Sequence, residues 1–354
     1  MSTRPNDKLR VIEHYDVVSP YYRSLWGEHL HHGYWIRGDE SKEEAQLNLV
    51  EHLAQLAGVK PNSDILDIGC GFGAASLFLA KKFNAAVTGI TNSPVQIAIA
   101  KQSAAAQHLA ATFLLMDAQA ITLREKFDLL WSVESISHYQ DRARFFASAA
   151  ALLKPGGSFA LTDWFKHENL SPRDIRKFIT PIENGMFVEL QTMDDYQQLL
   201  ASNGLRIVNR QVLNKNCAKT WDISLEIIKD KSLWALAAKS GRQFVSYLKA
   251  FQAMRAGYQS ATRRDGQMQP AISPGGECDP FQRQRPQRIG DIRPVADMEI
   301  AAEHDDCLRR GEIHLVRQRR LNPCQQKRRD GRSRGSKEQD ARCERQCDSG
   351  TPPS

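Results

Sequence analysis

"ILDIGCGFGAAS", residues 65–76, is an apolar run that closes on Asp67 and breaks into Gly69, Gly71 and Gly73, spaced two apart. Glycine permits positive φ and lets a ligand come up against bare backbone, so the turn predicts a bound, nucleotide-like molecule. The dinucleotide fingerprint needs GxGxxG and, about twenty residues on, an acid at the end of the second strand. Here Gly73 comes one residue early, and Thr91 stands where the acid belongs. A cofactor other than NAD or FAD is implied.

The pattern around the turn gives the fold. Upstream, "SKEEAQLNLVEHLAQLAG" (41–58) reads as a helix: Ser41 and Glu44 form a capping box, Leu49, Val50, Leu53 and Leu56 share a face, and Gly58 stops it. After Pro61, β-type runs at 64–68, 86–90, 112–116, 127–132 and 157–163 alternate with helical stretches. These include 74–83 and a helix opening at Ser93 and Pro94. Strands separated by helices predict an α/β class, with a doubly wound, mostly parallel sheet. "LKPGG" (153–157) launches the fifth strand, and "LRIVNRQVL" (205–213) is the sixth. Residues 164–192 read as an irregular insertion holding Trp164, Phe165, Phe178, Met186 and Phe187, either capping the sheet or lining the acceptor site.

From about Thr262 the texture changes. Residues 259–354 contain no Tyr, no Trp and one Phe, and their basic residues are 17 Arg to 2 Lys, against 13 Arg to 16 Lys upstream. Such a stretch buries too little apolar surface to offset chain entropy, so a disordered tail is expected, apart from a short strand at "EIHLV" (312–316). The abrupt switch in residue usage suggests out-of-frame translation; a genuine basic arm is the alternative. The expected organisation is a helical N-terminal lid (1–60), a catalytic domain (61–258) and this tail. Without an apolar run after Tyr258, the sheet is expected to lack its seventh strand or to recruit "EIHLV" poorly.

The net charge of +7 is unevenly spread: residues 1–258 carry a surplus of only three positive charges. Nowhere do eighteen uncharged apolar residues run together, and the charged N-terminus lacks a signal-like apolar core, so a cytoplasmic location is expected. The seven cysteines show no CxxC spacing and are read as free thiols.

Several motifs occur together and in order: "HYDVVSPYYRSLWGEHLHHGYW" (14–35), "LDIGCGFG" (66–73), "GITNSPVQ" (89–96), "MDAQ" (116–119), "FDLLWSVESISHYQD" (127–141) and "LLKPGGSFALTDW" (152–164). From about Arg10 to Tyr258 the chain resembles the class I S-adenosylmethionine-dependent methyltransferases. It is most similar to the branch containing tocopherol and quinol methyltransferases, sugar O-methyltransferases and cyclopropane fatty-acid synthases. The resemblance implies S-adenosylmethionine as cofactor, with Asp67 accepting from its ammonium group and the turn of Gly69, Gly71 and Gly73 receiving its methionine part. Thr91, Asn92 and Gln96 would meet the ribose and adenine. Asp117, Ala118 and Gln119 would form the adenine wall, and Tyr15 belongs to a lid that closes over the cofactor. His31 and His32 lie in the second half of that lid. Without a carboxylate or thiol pattern beside them they are read as lid packing, and no metal is expected.

A sulfonium donor is already activated, so the protein must align a nucleophile, exclude water and remove a proton. His138, just past strand four, is the candidate base. Asp163, ending strand five, is the residue expected to orient its imidazole, as a His and an Asp do in similar sugar O-methyltransferases. Glu134 is expected to face cofactor or substrate. The acceptor is read as a small, largely apolar molecule of phenol, quinol, terpenoid or natural-product type. Cyclopropane-type lipid modification is the second reading, although the bicarbonate-holding acid, cysteine and tyrosine of those relatives are not all placed in this sequence. A nucleic-acid role is disfavoured: "SVES" replaces the (N/D)PP(Y/F) motif of base methyltransferases, and the Arg-rich tail lacks stacking aromatics.

Overall fold

The computed structural model of the protein describes residues 23–231, 233, 241–265 and 310–318. Seven strands form one sheet: β1 Asp64–Ile68, β2 Ala86–Thr91, β3 Ala111–Leu115, β4 Phe127–Val133, β5 Leu153–Trp164, β6 Leu205–Val212 and β7 Arg310–Gln318. Their order is β3-β2-β1-β4-β5-β7-β6. The pairs among β1 to β5 are parallel, and β7 runs antiparallel between β5 and β6. The order reverses at β1, between β2 and β4. That switch point opens a crevice beyond the carboxyl ends of the strands, and the glycine turn follows β1 there.

Alternation along the strands sends successive residues to opposite faces. Ile65, Leu129, Trp131 and Ala160 join one core, completed by α1 (Lys42–Ala57) and α2 (Ala74–Phe83). Leu66, Ile68, Leu130, Phe159 and Leu161 join the other, against Phe145 and Phe146. Both phenylalanines are fully buried, each contributing about 2–3 kcal/mol by transfer from water. Helix α3 (Pro94–Ala106) opens as the sequence predicts, with Ser93 Oγ accepting from the Gln96 N–H at 3.2 Å and Pro94 at the first position. Phe145 and Phe146 belong to α4 (Arg142–Ala151).

The strand expected at "EIHLV" is present, and two other expectations are corrected. First, the sheet does not lack its seventh strand: backbone 310–318 pairs with both neighbours, from Ser158↔Arg317 to Asp163↔Glu312 on β5, and from Leu205↔Gln318 to Val212↔Glu312 on β6. The expected gap beside β5 is therefore filled by the short apolar run of the tail. Second, the supposed irregular insertion is largely helical, comprising Pro172–Asp174, a π-helical turn Ile175–Ile179, and α5 Thr180–Met186. Ser171 caps it, accepting from the Asp174 N–H at 3.1 Å. The described part of the lid runs as an irregular segment from about Gly27 to Ser41 into α1, and residues 1–22 lie outside the described residues. Helix α6, Met193–Ser202, precedes β6 and packs against α4, and beyond β6 come α7 Lys219–Ile227 and α8 Arg242–Asp265. Residues 266–309 and 319–354, and with them most of the expected tail disorder, lie outside the described residues, as does Tyr15.

Candidate functional site

The crevice at the switch point is a cavity of about 420 Å³. One half is built by the glycine turn. Gly69 has φ +79°, and a Cβ there would sit 2.5 Å from Ser135 Cβ. That serine cannot move aside, because its hydroxyl bonds the Ile68 carbonyl (3.0 Å), Ser132 (2.8 Å) and Tyr139 (2.9 Å). Gly71 lines the cavity beneath Leu30, whereas Gly73 lies off its wall and packs toward Phe113 and Ala100. Helix α2 starts without a side-chain cap, and Ala74 and Ala75 at its N-terminus face the cavity. Its first N–H groups and dipole thus favour an anionic ligand group there.

Asp67, 2% exposed, also faces the cavity, and its carboxylate accepts from Ser76 Oγ at 2.5 Å. Burial pushes its carboxyl up to about 7, against the opposing Ser76 bond. A buried carboxylate of this kind is stabilised by an incoming cation. Thr91, Asn92 and Gln96 line the adjoining wall, where the Thr91 hydroxyl donates to Gln96 Oε1 at 2.7 Å. Asp117, Ala118 and Gln119 follow on the same wall. Asp117 Oδ1 accepts from the Gln119 N–H (3.1 Å), and Gln119 Oε1 accepts from the N–H groups of Gln140 (2.8 Å) and Asp141 (2.9 Å). The adenine-side loop is thereby tied to the segment after β4.

The other half is made of side chains from distant segments. His29, Leu30 and His31 come from the lid, Glu134 and His138 from the end of β4, and Glu183, Asn184, Phe187, Val188 and Glu189 from the helical insertion. His138 Nδ1 lies 3.1 Å from the Phe187 carbonyl. A carbonyl only accepts, so Nδ1 carries the proton in the neutral ring and Nε2 is the basic nitrogen. Burial, with Arg142 nearby, pulls the imidazole down to about 4 against the raising effect of the Phe187 bond. It is therefore neutral at physiological pH. Burial likewise lowers His31, and takes His29 down to about 3, with His31 adding to the shift.

The structure does not bring Asp163 to His138. Asp163 is fully buried behind the wall, where its carboxylate accepts from Tyr196 Oη at 2.7 Å and from the Trp164 N–H at 2.9 Å. Burial raises its carboxyl to about 6 despite these bonds. The aromatic members of the insertion also divide: Trp164, Phe165 and Phe178 belong to the core, and of the five residues named from sequence only Phe187 reaches the cavity. The described residues of 214–255 contribute nothing to its wall.

Sequence reasoning missed Arg142, which clamps the site from behind. Only 2% exposed, it donates to the carbonyls of Ile136 (3.2 Å) and Ser137 (2.8 Å) and to that of Glu189. The turn carrying His138 and the loop from Phe187 to Glu189 are thus fixed to each other. A signal was present: a cation at the first position of a helix opposes the dipole, and so asks for another role.

A family model described as mycolic acid cyclopropane synthetase matches residues 3–262. The chain belongs to that family, within the class I S-adenosylmethionine-dependent methyltransferases. This methyltransferase is 33% identical over 235 residues to chloroplastic tocopherol O-methyltransferase of Arabidopsis thaliana, an alignment covering 60% of this chain and 67% of that one. It is 30% identical over 245 residues to 27-O-demethylrifamycin SV methyltransferase of Amycolatopsis mediterranei, covering 68% and 89%. Among solved structures it resembles a mycolic acid cyclopropane synthase complexed with SAH and CTAB, with TM-score 0.64, 23% identity, and coverage of 73% of this chain and 95% of that one. It also resembles the [4+2]-cyclase SpnF, with TM-score 0.59, 22% identity, and coverage of 87% and 94%. Both structural likenesses are statements about fold. Among the described residues, no helix of the methyltransferase is long and apolar enough to cross a membrane.

The residues present fit the family's cofactor. The buried Asp67 suits its ammonium, the uncapped start of α2 suits its carboxylate, the bare backbone at Gly69 and Gly71 leaves room for its chain, and the Thr91–Gln96 and Asp117–Gln119 walls offer polar partners to ribose and adenine.

Proposed function

We propose that the protein transfers a methyl group to an oxygen or carbon of a small, largely apolar, uncharged acceptor, with His138 as general base and Asp67, Gly69, Gly71, Thr91, Asn92, Gln96, Asp117, Ala118 and Gln119 holding the cofactor. One observation carries this reading: His138 lines the same cavity as the cofactor residues, and its Phe187 bond leaves Nε2 free of a ring proton. When bound, S-adenosylmethionine supplies an electrophilic methyl on its sulfonium. The chain's own task is to keep the acceptor in line and take its proton. A neutral imidazole can do that at once, without first losing a proton. Asp163 serves as a positioning residue: with Tyr196 it braces the end of β5 behind the wall.

The charge of the wall supports an uncharged acceptor. Among the described residues it carries Glu28, Asp67, Asp117, Glu134, Glu183 and Glu189, and no Lys or Arg. Such a field attracts the cationic donor and repels phosphates and carboxylates. Tocopherol and rifamycin methyltransferases, the relatives named above, fit this class by their names. The family match also supports cyclopropane-type lipid modification as a second reading.

The test is to incubate the protein with isotope-labelled S-adenosylmethionine and a metabolite extract and to identify the labelled product by mass spectrometry. His138→Ala is expected to bind S-adenosylhomocysteine as the wild type does and to lose about 10²–10⁴-fold in turnover. Undiminished turnover would remove His138 as base. A labelled methylene bridge in a fatty chain would favour the second reading.

A further inference from the structure

The proposed reaction needs the lid segment from Glu28 to Gly33 held on the cavity wall, and a buried chain of hydrogen bonds reaches it from inside. Glu134 follows β4 with φ +51°, a left-handed conformation that a non-glycine residue adopts only at a cost. Its carboxylate reaches the lid: Oε2 lies 2.7 Å from His32 Nδ1, and Oε1 accepts from the His32 N–H at 3.2 Å. A carboxylate only accepts, so Nδ1 donates, and His32 Nε2 hydrogen-bonds the Tyr258 hydroxyl at 3.2 Å. Tyr258 belongs to α8, more than two hundred residues away in the chain. Trp164 and Trp221 pack edge-on to the same imidazole, with centroids 5.6 and 5.0 Å away. Burial would raise the Glu134 carboxyl, but the histidines beside it hold it below the ordinary value. The carboxylate stays ionised and able to accept.

The topology sharpens the point. Glu134 lines the cavity together with Leu30 and His31, whereas His32 and Tyr258 do not. We propose that Glu134, His32 and Tyr258 form a positioning relay, fixing the Glu28–Gly33 segment over the bound cofactor so that a tyrosine outside the cavity sets part of the cofactor affinity. The relay rests on the methyltransferase reading above. It gives the left-handed turn at Glu134 a role, because that turn carries the carboxylate from the sheet end to the lid.

The test uses the full chain, with calorimetric titration of S-adenosylhomocysteine and amide hydrogen exchange. Tyr258→Phe carries it, because Glu134 itself touches the cavity. This variant is expected to weaken binding by about three- to tenfold, the worth of one hydrogen bond. Exchange should quicken at residues 31–35 and stay unchanged in β1 and β4. Glu134→Gln, which keeps an acceptor oxygen, should fall between the wild type and Glu134→Ala. Wild-type affinity and exchange in Tyr258→Phe would overturn the relay, and so would exchange rising equally across the sheet, the mark of a merely loosened fold. A wild type that binds no S-adenosylhomocysteine would overturn the site reading, and the relay with it; binding by the wild type with silent variants would remove the relay alone.

Discussion

The two halves of the cavity are made differently. The half proposed to hold the cofactor joins one contiguous βα turn, Asp67 to Ala75, to the ends of β2 and β3, and it offers backbone, a buried carboxylate and an uncapped helix end. The acceptor half gathers side chains from the lid, the β4 end and the helical insertion, held together by Arg142 and by the Glu134–His32 contact. A backbone site tolerates little change in its own residues and depends little on distant ones. A side-chain site can be altered residue by residue, and this difference is how one fold serves different acceptors.

The largest break should come at Gly69. Gly69→Ala places a methyl group 2.5 Å from Ser135 Cβ at φ +79°. The strain and overpacking together are expected to cost about 2–4 kcal/mol of stability, with loss of measurable S-adenosylhomocysteine binding. A melting curve and a titration check both; a variant that melts and binds as the wild type does would show that the turn is softer than its packing indicates.

Asp67 sharpens the comparison by pH. Because burial raises its carboxyl to about 7, a proton competes with the ligand's ammonium below that value. Affinity should rise with pH through about 7 and level off above it, falling about tenfold between pH 8 and pH 6 as the ionised fraction drops. Binding near neutrality should release a proton, measurable from the heat in buffers of different ionisation enthalpy. Asp67→Asn should bind about 10–100-fold more weakly at pH 8, the worth of a charged hydrogen bond, and lose the pH dependence assigned to this group.

The same contrast explains what the sequence disclosed. The residues proposed for the cofactor lie within short local motifs, so the glycine turn pointed to Asp67 and Gly69, the family resemblance added Thr91, Gln96 and Asp117, and all five line one cavity. Ser41, Ser93 and Thr192 cap their helices as their neighbours predict. The helical insertion carries Pro172, Pro181 and Gly185, residues that commonly break helices. Pro172 instead occupies the first position of a capped helix, where its missing N–H costs nothing, and Pro181 follows the π-helical turn near the start of α5. Gly185 lets α8 approach, since a Cβ there would meet the Ser246 carbonyl at 2.5 Å. That is a tertiary requirement with no local signature. The same holds for Glu134 and His32, 102 residues apart, and for Asp163, which bonds Tyr196 of α6 instead of the expected His138.

The smallest effect is expected where the acceptor half alone is touched. Glu183 lines the cavity from α5, and its Oε1 accepts from the Leu190 N–H at 3.0 Å. Burial raises its carboxyl above the usual value, and Lys166 and Arg142 oppose that only in part. Glu183→Gln keeps an acceptor for Leu190 and the shape of the wall while removing one negative charge. S-Adenosylhomocysteine affinity should stay within about fivefold, because the residue lies on the insertion side and a single screened charge is worth about 0.2–1 kcal/mol. Turnover of the acceptor identified by labelling should change more than that, and a carboxylate-bearing analogue of it should become a better substrate relative to the neutral one. If cofactor affinity falls as far as acceptor turnover, the two halves are coupled through the wall, and their separation into a backbone site and a side-chain site no longer holds.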